Sequence, residues 1–192
     1  RLKRAGGTRY FYDANGHLAR KVEPKGATKY TYDVHGNLTQ VELPDGRRYE
    51  YGYDAFGNRI SCSGPAGRKF YFYDREDVLA EFSPEEGLER TYLHGPGIDA
   101  LIGFMQGKDF FTVHSDGLGS VMAVAARKQA VVSRYDYSAF GDVQLIKEEI
   151  PLPFLYTGAR YDAETSLHYL RTRAYDPQTG RFISPDPIGL AG

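Results

Sequence analysis

Aromatic rings and other residues alternate with a two-residue period in four short runs: Tyr10-Phe11-Tyr12, Tyr30-Thr31-Tyr32, Tyr51-Gly52-Tyr53 and Tyr71-Phe72-Tyr73. That period puts both tyrosines of a run on one face of a strand, and tyrosine suits a pleated, half-buried surface. The first three runs lead into Asp-x-x-Gly, at Asp13-Ala14-Asn15-Gly16, Asp33-Val34-His35-Gly36 and Asp54-Ala55-Phe56-Gly57. An Asp side chain hydrogen-bonds the backbone two residues on, and Gly supplies the positive φ that closes a tight turn with a bulge. Each strand therefore reverses at its Asp.

Asp13, Asp33, Asp54 and Asp74 follow one another at intervals of 20 or 21 residues. Midway between them lies a second set of turns, Glu23-Pro24-Lys25-Gly26, Leu43-Pro44-Asp45-Gly46 and Gly64-Pro65-Ala66-Gly67. There Pro presets φ at the second turn position and Gly ends the turn. Two turns per period leave roughly six residues for each strand, close to the usual length. A repeat this regular sets the fold class: all-β, a row of successive antiparallel β-hairpins.

The fourth copy departs from the pattern. Asp74-Arg75-Glu76-Asp77 has no turn glycine, and its companion turn Ser83-Pro84-Glu85-Glu86-Gly87 is one residue longer. Residues 1–89 thus form the regular section, and 90–146 continue as hairpins with other turns. Within them, 120–126 and 130–137 read as strands joined by Arg127-Lys128-Gln129; the stretch 123–130 has a helix-friendly composition, but Val121, Val124, Val131 and Val132 favour strand. The stretch Lys147-Glu148-Glu149-Ile150-Pro151-Leu152-Pro153 reads as a linker, since prolines break a ladder and charges seek water. It opens a third, less regular section, 147–192, in which arginines alternate with aromatics.

Composition narrows the function classes. A net charge of −1 provides no basic field, which argues against nucleic acid and an anionic membrane surface as partners. No apolar stretch approaches the length of a membrane span, and the start does not resemble a signal peptide. Cys62 is the only cysteine, and the histidines at 17, 35, 94, 114 and 168 lack ligand spacing, so neither a metal nor another cofactor is expected. Tyr and Phe are plentiful without any Trp, which suits stacked sheet ladders. The chain opens on Arg1 rather than Met and stops inside what reads as a motif, so it is expected to be a piece of a longer protein.

Taken alone, candidate polar residues have modest readings. Asp186 is a turn-forming Asp before Pro, and Arg173 a surface ion-pair partner with Arg171 close by. His114 and Asp116 are accompanied by no Ser or Cys nucleophile motif and read as a strand end entering a Gly-rich turn. The ladder tyrosines, Tyr10, Tyr12, Tyr30, Tyr32, Tyr51 and Tyr53, share one face if the hairpins stack in register. They are either a buried rib, which stacked repeats need, or an exposed platform for sugar rings.

The repeats resemble the Tyr-x-Tyr-Asp-x-x-Gly-Asn-Leu unit of the rearrangement-hotspot (RHS) family, also called tyrosine-aspartate (YD) repeat proteins. The region from His114-Ser115-Asp116-Gly117-Leu118-Gly119-Ser120 through Tyr161-Asp162 and Leu167-His168-Tyr169 to Arg181-Phe182-Ile183-Ser184-Pro185-Asp186-Pro187-Ile188-Gly189-Leu190 resembles its core domain. In bacteria the resemblance implies a spiral shell of hairpins enclosing a toxic C-terminal domain until delivery, as in polymorphic toxins, type VI secretion effectors and insecticidal toxin complexes; animal teneurins use a similar shell. It implies synthesis in the bacterial cytoplasm, then secretion or delivery to a target cell. The implied partners are the toxin domain, the remaining shell repeats and a secretion apparatus or adaptor.

The resemblance also implies self-cleavage by two aspartates. Asp186 is then the first of them, Arg173 the arginine that supports them, and the second Asp lies in a later Asp-Pro-x-Gly motif past Gly192. Such chemistry needs two carboxyls sharing one proton, so this length of chain carries half a site and no scissile bond. The alternative is a cell-surface adhesion or carbohydrate-binding module using the tyrosine ladder from outside. Buried rings favour the shell and exposed rings the module. Open strand edges invite self-association, unless the fold covers them.

Overall fold

The computed structural model describes residues 1–97 and 99–187. The end of the last motif, Ile188-Gly189-Leu190, lies outside the described residues. Fifteen strands among them, from Arg4–Ala5 to Val143–Glu148, make one sheet in which each strand pairs with its neighbours in sequence, always antiparallel. This is the row of hairpins that the repeat predicts, and among the described residues no α-helix interrupts it. The stretch 123–130 is split between the strand Val121–Ala125 and one 3-10 turn, Arg127–Gln129.

Each part of the repeat has a visible mechanical role. The ladder slips by one residue ahead of Tyr12, Tyr32, Tyr53 and Tyr73, which is the predicted bulge. Gly16, Gly36 and Gly57 then take φ of 96°, 87° and 88° to close the turn. In the turn that lacks glycine, Arg75 takes φ 56° instead. Asp33 Oδ1 accepts the backbone N–H groups of His35 and Asn37, and its Oδ2 accepts the Asn37 side-chain amide, all at 2.9 Å. Asp54 repeats the arrangement with Phe56 and Asn58. Partial burial pushes both carboxyls up, but these hydrogen bonds outweigh it and hold them below the ordinary aspartate value.

From the second run on, the second tyrosine bolts its hairpin to the one before. Tyr32 Oη donates to Leu18 O at 3.1 Å, Tyr53 to Leu38 O at 2.8 Å, and Tyr73 to Arg59 O at 2.9 Å. His94 Nε2 meets Val78 O at 2.9 Å in the equivalent place one period later. The first tyrosines, Tyr10, Tyr30, Tyr51 and Tyr71, are buried on the inner face, while Phe11, Phe72 and Phe82 project from the outer one.

What covers the inner face is the last section of the chain. A second antiparallel sheet of four strands, Arg160–Asp162, Leu167–Leu170, Arg173–Asp176 and Arg181–Phe182, lies there. Its Leu167, Ala174 and Ile183 join the core formed by Tyr10, Leu18, Tyr30, Leu38, Val41 and Tyr51. Further along, Leu152, Phe154 and Leu155 enter the core around Tyr92, Phe104, Val121, Val124 and Tyr135. Burying each of the Leu, Ile, Val and Phe side chains among them contributes roughly 1.5–3 kcal/mol. The stretch read as a solvated linker is thus corrected: its charged half ends the strand Val143–Glu148, and its apolar half is a wedge in which prolines alternate with buried residues.

Candidate functional site

The strands Leu167–Leu170 and Arg173–Asp176 are joined by a tight turn in which Arg171 takes φ 61°. That turn sends two nearby arginines in different directions. Arg171 reaches the wall, pairing with Glu76 and, at 3.3 Å, with Asp99. Arg173 Nη2 lies 2.8 Å from Asp186 Oδ2, and its guanidinium stacks 3.7 Å from the Phe182 ring. The two residues singled out in the sequence are therefore brought together, both partly exposed.

Backbone bonds hold the segment that carries Asp186. Ile183 N donates to Ala174 O at 3.0 Å, and Leu18 N donates to Ile183 O at 2.7 Å, so Ile183, three residues before Asp186, is held between the small sheet and the first hairpin. Asp186 and Arg173 open onto a cleft of about 450 Å³ at the Asp-turn end of the wall, whose other walls include His17, Asn37, Asp54 and Phe56. The first repeat carries His17 where later repeats carry Asn37 and Asn58. Its Nδ1 binds Asp13 Oδ2 at 2.9 Å, and its ring stacks on Tyr32 with centroids 4.6 Å apart. One carboxylate beside one guanidinium can accept a proton or polarise a peptide group, but the shared-proton chemistry needs a second carboxyl.

Other candidates fall to structural roles. Asp116 Oδ1 accepts the N–H groups of Leu118 and Ser120, and His114 Nε2 lies 3.4 Å from Thr112 Oγ1, so the two do not pair. Among the described residues, no cluster of three His, Cys, Asp or Glu is placed to hold a metal, and no helix is long and apolar enough to cross a membrane. Burial pushes the Cys62 thiol up to about 12.

Sequence reasoning missed two buried ion pairs that fasten the last section to the wall. Arg59 Nη1, from the wall, lies 2.6 Å from Asp162, and Arg160 Nη1, from the covering sheet, lies 3.1 Å from Glu81. The signal for the first was present: Arg59 occupies the repeat position that holds Leu18 and Leu38 in the earlier copies.

Serial hairpins bolted by tyrosines, with an aromatic and arginine-rich section seated on their inner face, define a YD-repeat shell protein of the RHS kind. The chain belongs to the teneurin YD-shell family, whose profile matches residues 1–189. It is 31% identical over 211 residues to "Probable deoxyribonuclease RhsA" of Dickeya dadantii, covering 100% of this chain and 14% of that protein. It is 32% identical over 122 residues to "tRNA3(Ser)-specific nuclease WapA" of Bacillus spizizenii, covering 61% of this chain and 5% of that protein. The crystal structure of TcdB2-TccC3-Cdc42 shares the fold with a TM-score of 0.69 at 20% identity, over 93% of this chain and 10% of that one. The chain thus spans a small fraction of the length of the proteins it matches, and it is a shell segment of the kind that toxin-related proteins carry.

Proposed function

We propose that this chain is the closing part of a container. Residues 1–89 and 90–146 act as wall, and 147–192 cap the wall from within and present a cleavage segment, while a C-terminal toxin domain of the parent protein is held inside. The further shell repeats of the parent extend the wall, and a secretion apparatus such as a type VI system, or an adaptor, delivers the assembly from the producing bacterium. In this reading Asp186 is one of two catalytic aspartates and Arg173 holds its carboxylate in place, with the second Asp supplied by the chain beyond this segment. The supporting observation is the seat of the Arg173–Asp186 pair, on a segment pinned at Ile183 and facing an open cleft. The buried ladder rings favour this role over an adhesion module.

The test is to express the parent chain through its natural C-terminus and run it denatured. Two bands that become one with Asp186→Asn are expected. A single uncut wild-type band overturns the self-cleavage part, and a toxin domain as open to protease in the shell as in isolation overturns enclosure.

A further inference from the structure

The cleft contains one side chain whose repeat equivalents do something simpler. In the second and third copies the residue after the turn glycine is Asn, and its amide binds Oδ2 of the turn Asp at 2.9 and 3.0 Å. In the first copy His17 makes the same bond to Asp13 through Nδ1, at 2.9 Å. Asparagine suffices for the turn, so the imidazole adds something the turn does not require: a second nitrogen beyond the reach of an amide.

The position of that nitrogen is well defined. Asp13 holds one edge of the ring and Tyr32 stacks on its face, leaving the side chain 12% exposed. Nε2 points along the row of turns toward Gly36, where a Cβ would come within 3.2 Å of it. The bond from Leu18 N to Ile183 O places His17 next to the stretch that leads through Ser184 to Asp186, and His17 lines the same cleft as Arg173 and Asp186. We infer that His17 is a positioning residue for the proposed self-cleavage: its Nε2 hydrogen-bonds a backbone group of the polypeptide that enters this cleft, aligning it against Asp186. The inference rests on the cleavage reading and deepens it. It requires no covalent change at His17.

The repeat itself supplies the discriminating variant. His17→Asn restores the Asp-turn bond that Asn37 and Asn58 already make, so it keeps the turn while removing Nε2. In the parent chain extended through its natural C-terminus, cleavage followed by denaturing gel is expected to slow by about 10- to 100-fold in His17→Asn, the usual cost of a misplaced reacting group, with the fold retained and the thermal midpoint lowered only by the loss of the Tyr32 stack. Wild-type chain that is cut and His17→Asn that is cut equally fast overturns the role of His17 alone. Wild-type chain that is never cut overturns the cleavage reading and this inference with it. If His17→Asn unfolds, imidazole nitrogen NMR reads the same contact on the native ring: the His17 signals are expected to differ between uncut Asp186→Asn protein and cleaved wild type. Identical signals overturn the inference.

Discussion

Arg59 and Asp162 are 103 residues apart in sequence and 2.6 Å apart in space, with the Arg59 guanidinium 4.0 Å from the ring of Tyr51 and 4.0 Å from that of Tyr169. Tyr51 belongs to the wall and Tyr169 to the covering sheet, so one cation is clasped by both. Burial works against the charged guanidinium, but Asp162 and the surrounding tyrosines outweigh it, and Arg59 holds its proton more tightly than a free arginine.

Breaking this pair from one side leaves a charge without its counterpart. Arg59→Leu, which copies Leu18 and Leu38, is expected to destabilise the chain by about 3–5 kcal/mol, and Asp162→Leu by a similar amount. The double substitution is expected to recover most of that loss, because a well-packed apolar pair can replace a buried ion pair at little cost. Urea midpoints for the cycle check this, and a double variant as weak as the sum of the singles would contradict it.

Arg160 and Glu81 form the reverse connection, cation on the covering sheet and carboxylate on the wall, both almost fully buried. Arg160 also lies 3.6 Å above the ring of Tyr71. Lysine keeps the charge but has no planar face to stack and no fork to bridge ring and carboxylate. Arg160→Lys is therefore expected to cost about 2–4 kcal/mol despite conserving charge, measured by denaturant unfolding. A loss below about 1 kcal/mol, the level of an exposed pair, would mean that the stack and the burial contribute nothing.

The tyrosine bolts make a prediction about the repeat. Tyr53→Phe removes the hydroxyl that reaches Leu38 O and keeps the ring in place. Net, such a bond contributes about 1 kcal/mol, and Tyr32→Phe and Tyr73→Phe are expected to match it, since their hydroxyls reach equivalent carbonyls. Amide hydrogen exchange after each substitution is expected to rise first in the hairpin that has lost its bolt. Uniform exchange across the sheet would argue against bolts that act one period at a time.

The wall was legible in the sequence because its information is local. The period of Asp13, Asp33 and Asp54, the glycines after them and the Tyr-x-Tyr alternation each name one turn or one face, and the strands follow. The covering of the wall was not legible, because it depends on pairs such as Arg59 with Asp162 and Arg160 with Glu81, whose partners are distant in sequence and share no motif. The prolines at 151 and 153 suggested a break, and they do end the ladder. They say nothing of Leu152 and Phe154 beside them, whose burial follows from the shape of the inner face. At the candidate site, Arg173 and Asp186 stand out only by resemblance, and His17 does not stand out at all, because a lone histidine in a turn carries no pattern by itself.

A pH dependence follows from His168, which is completely buried beneath the rings of Tyr156, Tyr161 and Tyr175. Its Nε2 donates to Gly141 O at 2.9 Å, and among the described residues its Nδ1 has no hydrogen-bond partner. Burial pushes the imidazole below its ordinary value of 6.5; the bond to Gly141 and the charges of Asp162 and Asp142 oppose this without cancelling it. At pH 7.5 the ring is neutral in both folded and unfolded chain and contributes no slope. As the pH falls below 6.5 the unfolded chain takes up a proton that the folded chain refuses, so stability falls, by at most about 1.4 kcal/mol per pH unit, until the folded value is reached. The turn carboxylates of Asp33 and Asp54 act in a lower window: their contribution is present above the ordinary aspartate value of 3.8 and lost as the pH falls through their depressed folded values. Burial raises the carboxyls of Asp99 and Asp176, which act in the opposite sense on both proteins alike. Urea midpoints taken between pH 7.5 and 5 are therefore expected to fall more steeply for the wild-type chain than for His168→Asn, whatever the variant's absolute stability. Parallel slopes in the two proteins would assign the acid sensitivity to another group.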